Sequence, residues 1–216
     1  MRSATDMDLG LVRDINRLWG PVYEGLARQV ADLCASPPVE ILEVGCFSGG
    51  VGLALLDMFP ASRLTVAIDA EELVGSFEAD WQGMIDETQR ARLTVVRSPL
   101  APMDLPADTY DLAVFRGVFF FLDTLGSVPA EMSRVPAPGG IAFIGGGFGS
   151  HTDTQVIQGL AQESRRLNFA LGKRVVSRAE FRQSLADAGL EGRFKIVEEG
   201  GLWAIIQGGR DLPYVR

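Results

Sequence analysis

Five short apolar runs, each separated from the next by a stretch of another character, constrain this chain more than any other feature. They are Val39–Val44, Arg63–Ile68, Arg92–Val96, Tyr110–Phe115 and Ile141–Gly145. Strands that are apolar along their whole length suit burial on both faces, as in parallel sheets covered by helices. Helical patterns are predicted over Gly49–Phe59, Glu71–Arg90 and Thr124–Val135, with Pro60 closing the first. Beyond the fifth run come a helical insertion, Thr154–Leu171, and a helix with Ser177 as N-cap, Glu180 three residues on and Gly189 at its end. Two apolar strands, "FKIVE" and "LWAIIQ", close the pattern, joined by Glu199-Gly200-Gly201 as a hairpin.

This order predicts an α/β fold: a three-layer, Rossmann-like, doubly wound sheet of seven strands, mostly parallel, ending in a C-terminal antiparallel hairpin. A length of 216 residues suits one domain over 1–216. Within it, residues 1–37 form a helical cap, 38–208 the core, and 150–175 a helical insertion in that core. The cap carries a helical pattern from Leu9 to Cys34, interrupted at Gly20-Pro21.

The formal net charge of −8 argues against a protein that grips nucleic acid by its phosphates. Arg165-Arg166 is the nearest approach to a basic patch and reads as a solvated helix face. Cys34 and Cys46 have no metal-ligand spacing, and no metal is expected. With no signal-like start and no apolar run of spanning length, the expectation is a cytoplasmic protein that binds no membrane.

Open α/β sheets bind ligands beyond the carboxyl ends of their strands, beside the first one. The ligand therefore belongs at "ILEVGCFSGG", residues 41–50. Glycines there admit a ligand close to the backbone. Asp69, ending the second strand, suits two ribose hydroxyls. The dinucleotide fingerprint requires three glycines, and Phe47 stands where the second belongs, which counts against NAD. Glu43 suits a ligand bearing positive charge.

Several segments resemble the class I S-adenosylmethionine (SAM)-dependent methyltransferases of the small-molecule type. "ILEVGCFSGG" is similar to their acidic-then-glycine motif and "LTVAID" to their second motif. "LPADTYDLAVFRGVFFFLD", "EMSRVPAPGGIAFI" and "SRAEFRQSLADAGL" resemble later segments in the same order, so that the likeness runs from Val39 to Gln207. It implies SAM as cofactor and methyl transfer to a small-molecule acceptor by SN2 displacement. It also implies a cofactor site of Glu43, Gly45, Cys46, Phe47, Gly49, Asp69, Ala70 and Arg116. Candidates for the acceptor pocket are Trp19, Tyr23, Phe119, Phe120 and Phe148, and His151 is the one candidate general base. Phe47 at a glycine position and the absence of an acid directly after the third strand depart from the family pattern. They leave open a SAM- or nucleoside-binding protein without transfer; a NAD(P)-dependent oxidoreductase is the more distant alternative.

Overall fold

In a computed structural model, which describes residues 7–47, 49–81, 85–121 and 126–209, the apolar runs form one seven-stranded sheet. The strands are β1 (Glu40–Val44), β2 (Arg63–Ile68), β3 (Leu93–Arg97), β4 (Tyr110–Arg116), β5 (Pro136–Gly146), β6 (Phe194–Val197) and β7 (Leu202–Gln207). Their spatial order is β3-β2-β1-β4-β5-β7-β6. β1 to β5 pair in parallel, and β7 runs antiparallel to both β5 and β6. This is the doubly wound sheet with a terminal hairpin that the strand pattern predicts. Ile41, Leu42, Leu112 and Ala113 in the central strands have no exposed surface. Burying side chains such as Ile and Leu stabilises by roughly 1.5–3 kcal/mol each, which fixes these strands at the centre.

Eight helices among the described residues surround the sheet: α1 (Leu9–Leu18), α2 (Tyr23–Ala31), α3 (Gly50–Met58), α4 (Glu71–Trp81), α5 (Glu87–Arg90), α6 (Val128–Arg134), α7 (Thr154–Ala170) and α8 (Arg178–Asp187). The Gly20-Pro21 break becomes a 3-10 turn over Gly20–Val22, with Pro21 in its first turn. Two expectations change. The helix expected from Glu71 to Arg90 divides into α4 and α5, because the Asp86 side chain caps a new start in a capping box with Gln89. β5 begins at Pro136, so "PAPGG" lies within the strand. Its glycines permit this: a Cβ on Gly140 would lie 2.6 Å from the Tyr110 carbonyl oxygen, and the β4–β5 register shifts between Tyr110 and Leu112. The expected start of the sixth helix, Thr124, lies outside the described residues.

The sheet order reverses between β1 and β4, so the loops after Val44 and Arg116 meet at one edge. The N-terminal helices cover that edge. Gly25 of α2 lies so close to Thr152 that a Cβ would sit 2.8 Å from the Thr152 backbone nitrogen. Buried Gln29 ties the cap to two loops, accepting from the Ser150 N–H at 3.1 Å and donating to the Glu199 carbonyl at 3.1 Å. The Gly-rich run after β5 is shaped by backbone approach: a Cβ on Gly147 would strike the Gly200-Gly201 backbone of the β6–β7 hairpin.

Candidate functional site

The loop after β1 is held from three sides. Gly45 continues the β1–β2 ladder through its N–H to Ala67 (2.8 Å) and has φ 102°. Asn16 of α1 donates to the Cys46 carbonyl at 3.2 Å. Arg116, at the end of β4, donates from Nη2 to the Phe47 carbonyl at 2.5 Å. Gly49 has φ 106°, a conformation that side chains rarely adopt.

Glu43 is fully buried beneath this loop. Its Oε2 accepts the Gly52 N–H at 2.7 Å, and the N–H groups of Gly49 and Val51 also favour its charged form. The carboxylate thus caps the start of α3 from inside, where a helix N-terminus favours an anion. Burial nevertheless pushes its pKa up, against the opposing Arg116 charge and those N–H groups. Its second oxygen, Oε1, is buried and has no hydrogen-bond partner among the described residues.

Arg116 is the matching cation. It is 3% exposed, and its guanidinium lies 5.0 Å from the Trp19 ring and 5.1 Å from the Tyr23 ring. Its Nε is buried without a partner among the described residues. The Tyr23 hydroxyl accepts from Arg116 Nη2 at 3.4 Å and donates to the Asn16 carbonyl at 3.0 Å. Burial pushes the Tyr23 phenol up to about 12, with Arg116 opposing, so it keeps its proton at neutral pH. Asp69 is half-buried at the end of β2, and Ala70 beside it is fully buried. Burial first and Asp69 second push the Cys46 thiol far up, and Cys46 Sγ rests 3.9 Å from Met7 Sδ. Cys46 is a buried filler.

Beside this loop lies a cavity of about 350 Å³, within the usual range of roughly 300–1,000 Å³ for small-molecule sites. The Phe47 ring turns into it, packing on Gly117 and on Phe121 (centroids 5.4 Å apart). Trp19, Phe120 and Phe148 share its wall. Trp19 stacks on Phe148 (4.9 Å) and donates from Nε1 to Ser164 of α7 at 3.0 Å.

Three expected pocket or catalytic residues sit elsewhere. Tyr23 packs over Gly50 and Arg116, on the loop side. Phe119 is 2% exposed and stacks on Phe181 of α8 (4.8 Å), inside the core. The cause is the 3-10 turn over Val118–Phe120: about three residues per turn send neighbouring side chains in different directions. His151 is half exposed and pairs with Asp32 at the end of α2 (2.9 Å), and it does not line the cavity.

The structure also adds residues that sequence reasoning passed over. Phe77 of α4 lies over Gly49, where a Cβ would strike its ring. Ser164, Arg165, Asn168 and Lys173 bring the insertion into the cavity wall. A signal was present for two of them: Leu160, Ser164, Leu167 and Asn168 form one buried stripe of α7 at helical spacing. Among the described residues no three His, Cys, Asp or Glu side chains gather as a metal site, and no helix is long and apolar enough to cross a membrane.

Comparison with known proteins agrees with this geometry. Residues 42–144 match the family profile described as a methyltransferase domain. A Methanococcus maripaludis protein described as a candidate S-adenosyl-L-methionine-dependent methyltransferase has a TM-score of 0.74 at 19% identity, covering 95% of each chain. A candidate O-methyltransferase of Nostoc punctiforme has a TM-score of 0.67 at 11% identity, covering 92% of this chain and 59% of its own. Geranyl diphosphate C-methyltransferase of Streptomyces coelicolor, in complex with Mg2+, geranyl diphosphate and S-adenosyl-L-homocysteine, has a TM-score of 0.56 at 14% identity, covering 83% and 77%. No curated protein matches the chain. Residues 42–144 thus match a methyltransferase-domain profile, and the chain shares its fold with SAM-dependent methyltransferases.

Proposed function

We propose that this chain binds SAM over the β1–α3 loop and methylates a small molecule held in the adjoining cavity. One observation carries the reading. Phe47 is shared between the two compartments, its carbonyl held by Arg116 at the loop and its ring lining the cavity.

The residues present suit SAM. Gly45 and Gly49 offer backbone without a side chain in the way, at φ values of 102° and 106°. Glu43 Oε1 is a buried acceptor without a partner, suited to an ammonium group directly or through water, and Arg116 Nε is a buried donor suited to a carboxylate. Asp69 would take the ribose, with Ala70 beside the adenosine. SAM supplies a methyl group on a sulfonium centre, open to in-line attack by the acceptor. The chain's part is to align the two molecules and keep water out, which Trp19, Phe47 and Phe148 do by walling the cavity. Among the described residues the cavity wall holds no Asp, Glu or His, so proton removal by such a side chain is not part of the reading.

The Phe77 ring over Gly49 favours a second reading, in which the fold holds a nucleoside without transferring methyl. The structural relatives that act on geranyl diphosphate or are described as O-methyltransferases favour transfer to a small molecule. A cytoplasmic setting, with Cys34 and Cys46 as free thiols, fits the same reading, and no nucleic acid partner is expected.

Isothermal titration with SAM and its demethylated product, S-adenosylhomocysteine (SAH), tests the cofactor. Micromolar binding of both is expected, and no binding of either at high micromolar concentration refutes the proposal. Binding of both with no methylated product from any acceptor would select the second reading.

A further inference from the structure

The charged side chains of the cavity wall are all of one sign. Arg116 lies at its inner end, and Arg165, Lys173 and Arg174 lie on the side of α7, while no described lining residue is acidic. This concentration of cations occurs in a chain of net charge −8. Arg165 and Arg166 are adjacent, yet their fates differ. Arg166 is closed by two hydrogen bonds to Glu163, at 2.6 and 2.8 Å, in a groove shared with Asp14 and Arg17 of α1 and away from the cavity. Arg165 points to the cavity and has no ion-pair partner among the described residues.

Lys173 is the more informative group. It follows α7, and its Nζ lies 4.2 Å from the centroid of the Phe120 ring. That is its one attractive side-chain contact among the described residues, a cation over an aromatic face. Burial, and then the nearby Arg165 charge, push its pKa below the usual lysine value. Two like charges without a counter-ion at the rim of an aromatic cavity disfavour a cationic occupant and favour an anion. The apolar part of the wall is largely ring-lined, from Phe47 and Phe120 to the Trp19–Phe148 stack, with Ile15, Val175 and Val176 beside the rings.

We propose that the acceptor is an amphipathic anion, with a flat apolar body between Phe47, Phe120 and Trp19–Phe148 and a carboxylate or phosphate head received by Lys173 and Arg165. The inference rests on the reading of this cavity as the acceptor site of a methyltransferase. It narrows that site from small molecules in general to those carrying an anionic head on a body the size of one or two fused rings.

The test is a set of matched probes titrated into the SAH-saturated protein: naphthalene-2-carboxylate, 2-naphthyl phosphate and the neutral naphthalene-2-carboxamide. One or both anions should bind about tenfold or more tightly than the amide, as expected for charge-assisted hydrogen bonds. Which anion leads identifies the head group. In Lys173→Glu the advantage should vanish, and in Arg165→Glu, a substitution at an exposed position, it should shrink several-fold. The amide should bind each variant within about twofold of the parent, and thermal unfolding should show both variants folded. Equal binding of amide and anions, survival of the advantage in Lys173→Glu, or no binding of any probe at millimolar concentration would each overturn the proposal. SAH titration of the unmodified protein separates the two levels. SAH binding without an anion preference removes this inference alone, whereas failure of SAH to bind removes the methyltransferase reading whatever the probes do.

Discussion

The two compartments at the strand edge are built by different means. The loop side is built from backbone: glycines at positive φ, a carboxylate buried under a helix start, and carbonyls pinned by Asn16 and Arg116. The cavity side is built from side chains delivered by separate elements, with Trp19 from the cap, Phe120 after β4, Phe148 after β5 and Lys173 after α7. A site made of backbone tolerates little change, because each glycine excludes every other residue. A site made of side chains can be re-lined one position at a time. The first arrangement suits a ligand that stays the same, and the second suits a ligand that differs between relatives.

Substitutions on the two sides should therefore separate. The largest effect is expected for Gly49→Ala. It forces a side chain into φ 106° and against the Phe77 ring, and strain of this kind costs about 1–3 kcal/mol. The free loop relieves that strain by shifting its backbone, and restoring the ligand-ready conformation costs it again on binding, so SAH affinity should fall by up to about a hundredfold by calorimetry, since 2.7 kcal/mol corresponds to about that factor. Loss of anion-probe binding in parallel would mean that the compartments are not separable.

Glu43→Gln should come next, with SAH affinity about tenfold or more lower, because a charged acceptor is replaced by a neutral one. Its effect on stability has the opposite sign. Burial holds the folded pKa of Glu43 above its unfolded value, so in that window the native state binds more protons. Stability contributed by the protonated form is present below the unfolded pKa and is lost as pH rises towards the folded one. At neutral pH the glutamine variant should unfold in urea at the same or a higher midpoint than the parent, and its stability should fall less as pH rises from the carboxylate range. A lower midpoint at neutral pH would show that capping of α3 by the carboxylate outweighs the cost of its burial.

The smallest effect on ligand belongs to Trp19→Ala on the cavity side. Losing the stack against Phe148 should weaken naphthalene-2-carboxylate about fivefold, in line with aromatic pair energies of about 0.5–1.5 kcal/mol. SAH affinity should stay within about twofold. An equal loss of both ligands would show the cap to be part of the cofactor site.

The same contrast explains what could be read from the sequence. The strands were legible because β1, β2 and β4 are short, mostly apolar runs bounded by turn residues, and β7 sits where the Gly200-Gly201 turn allows. The loop side was legible because glycines and acids keep their meaning within a few residues of one strand. The start of α5 carried a readable signal in Asp86 and Gln89, outweighed by the longer helical pattern around it. The cavity was less legible, because its wall joins residues more than a hundred positions apart, such as Trp19 and Ser164. Phe119, Phe120 and Phe121 show the limit: as a string they resemble one aromatic wall, yet one faces α8, one the cavity and one Phe47. Arg165 shows it too, since a basic pair on a helix does not reveal that its members face different ways.

The central claim is that a cofactor compartment and an acceptor compartment meet at Phe47. A crystal structure of the protein with SAH tests it most directly. The account predicts ribose hydroxyls on Asp69, the ammonium within reach of Glu43 directly or through one water, and the sulfur at the Phe47–Arg116 edge of the cavity. The Phe47 ring should remain against Gly117. SAH lying within the aromatic cavity, or a Phe47 ring turned over the glycine loop in its place, would contradict the account.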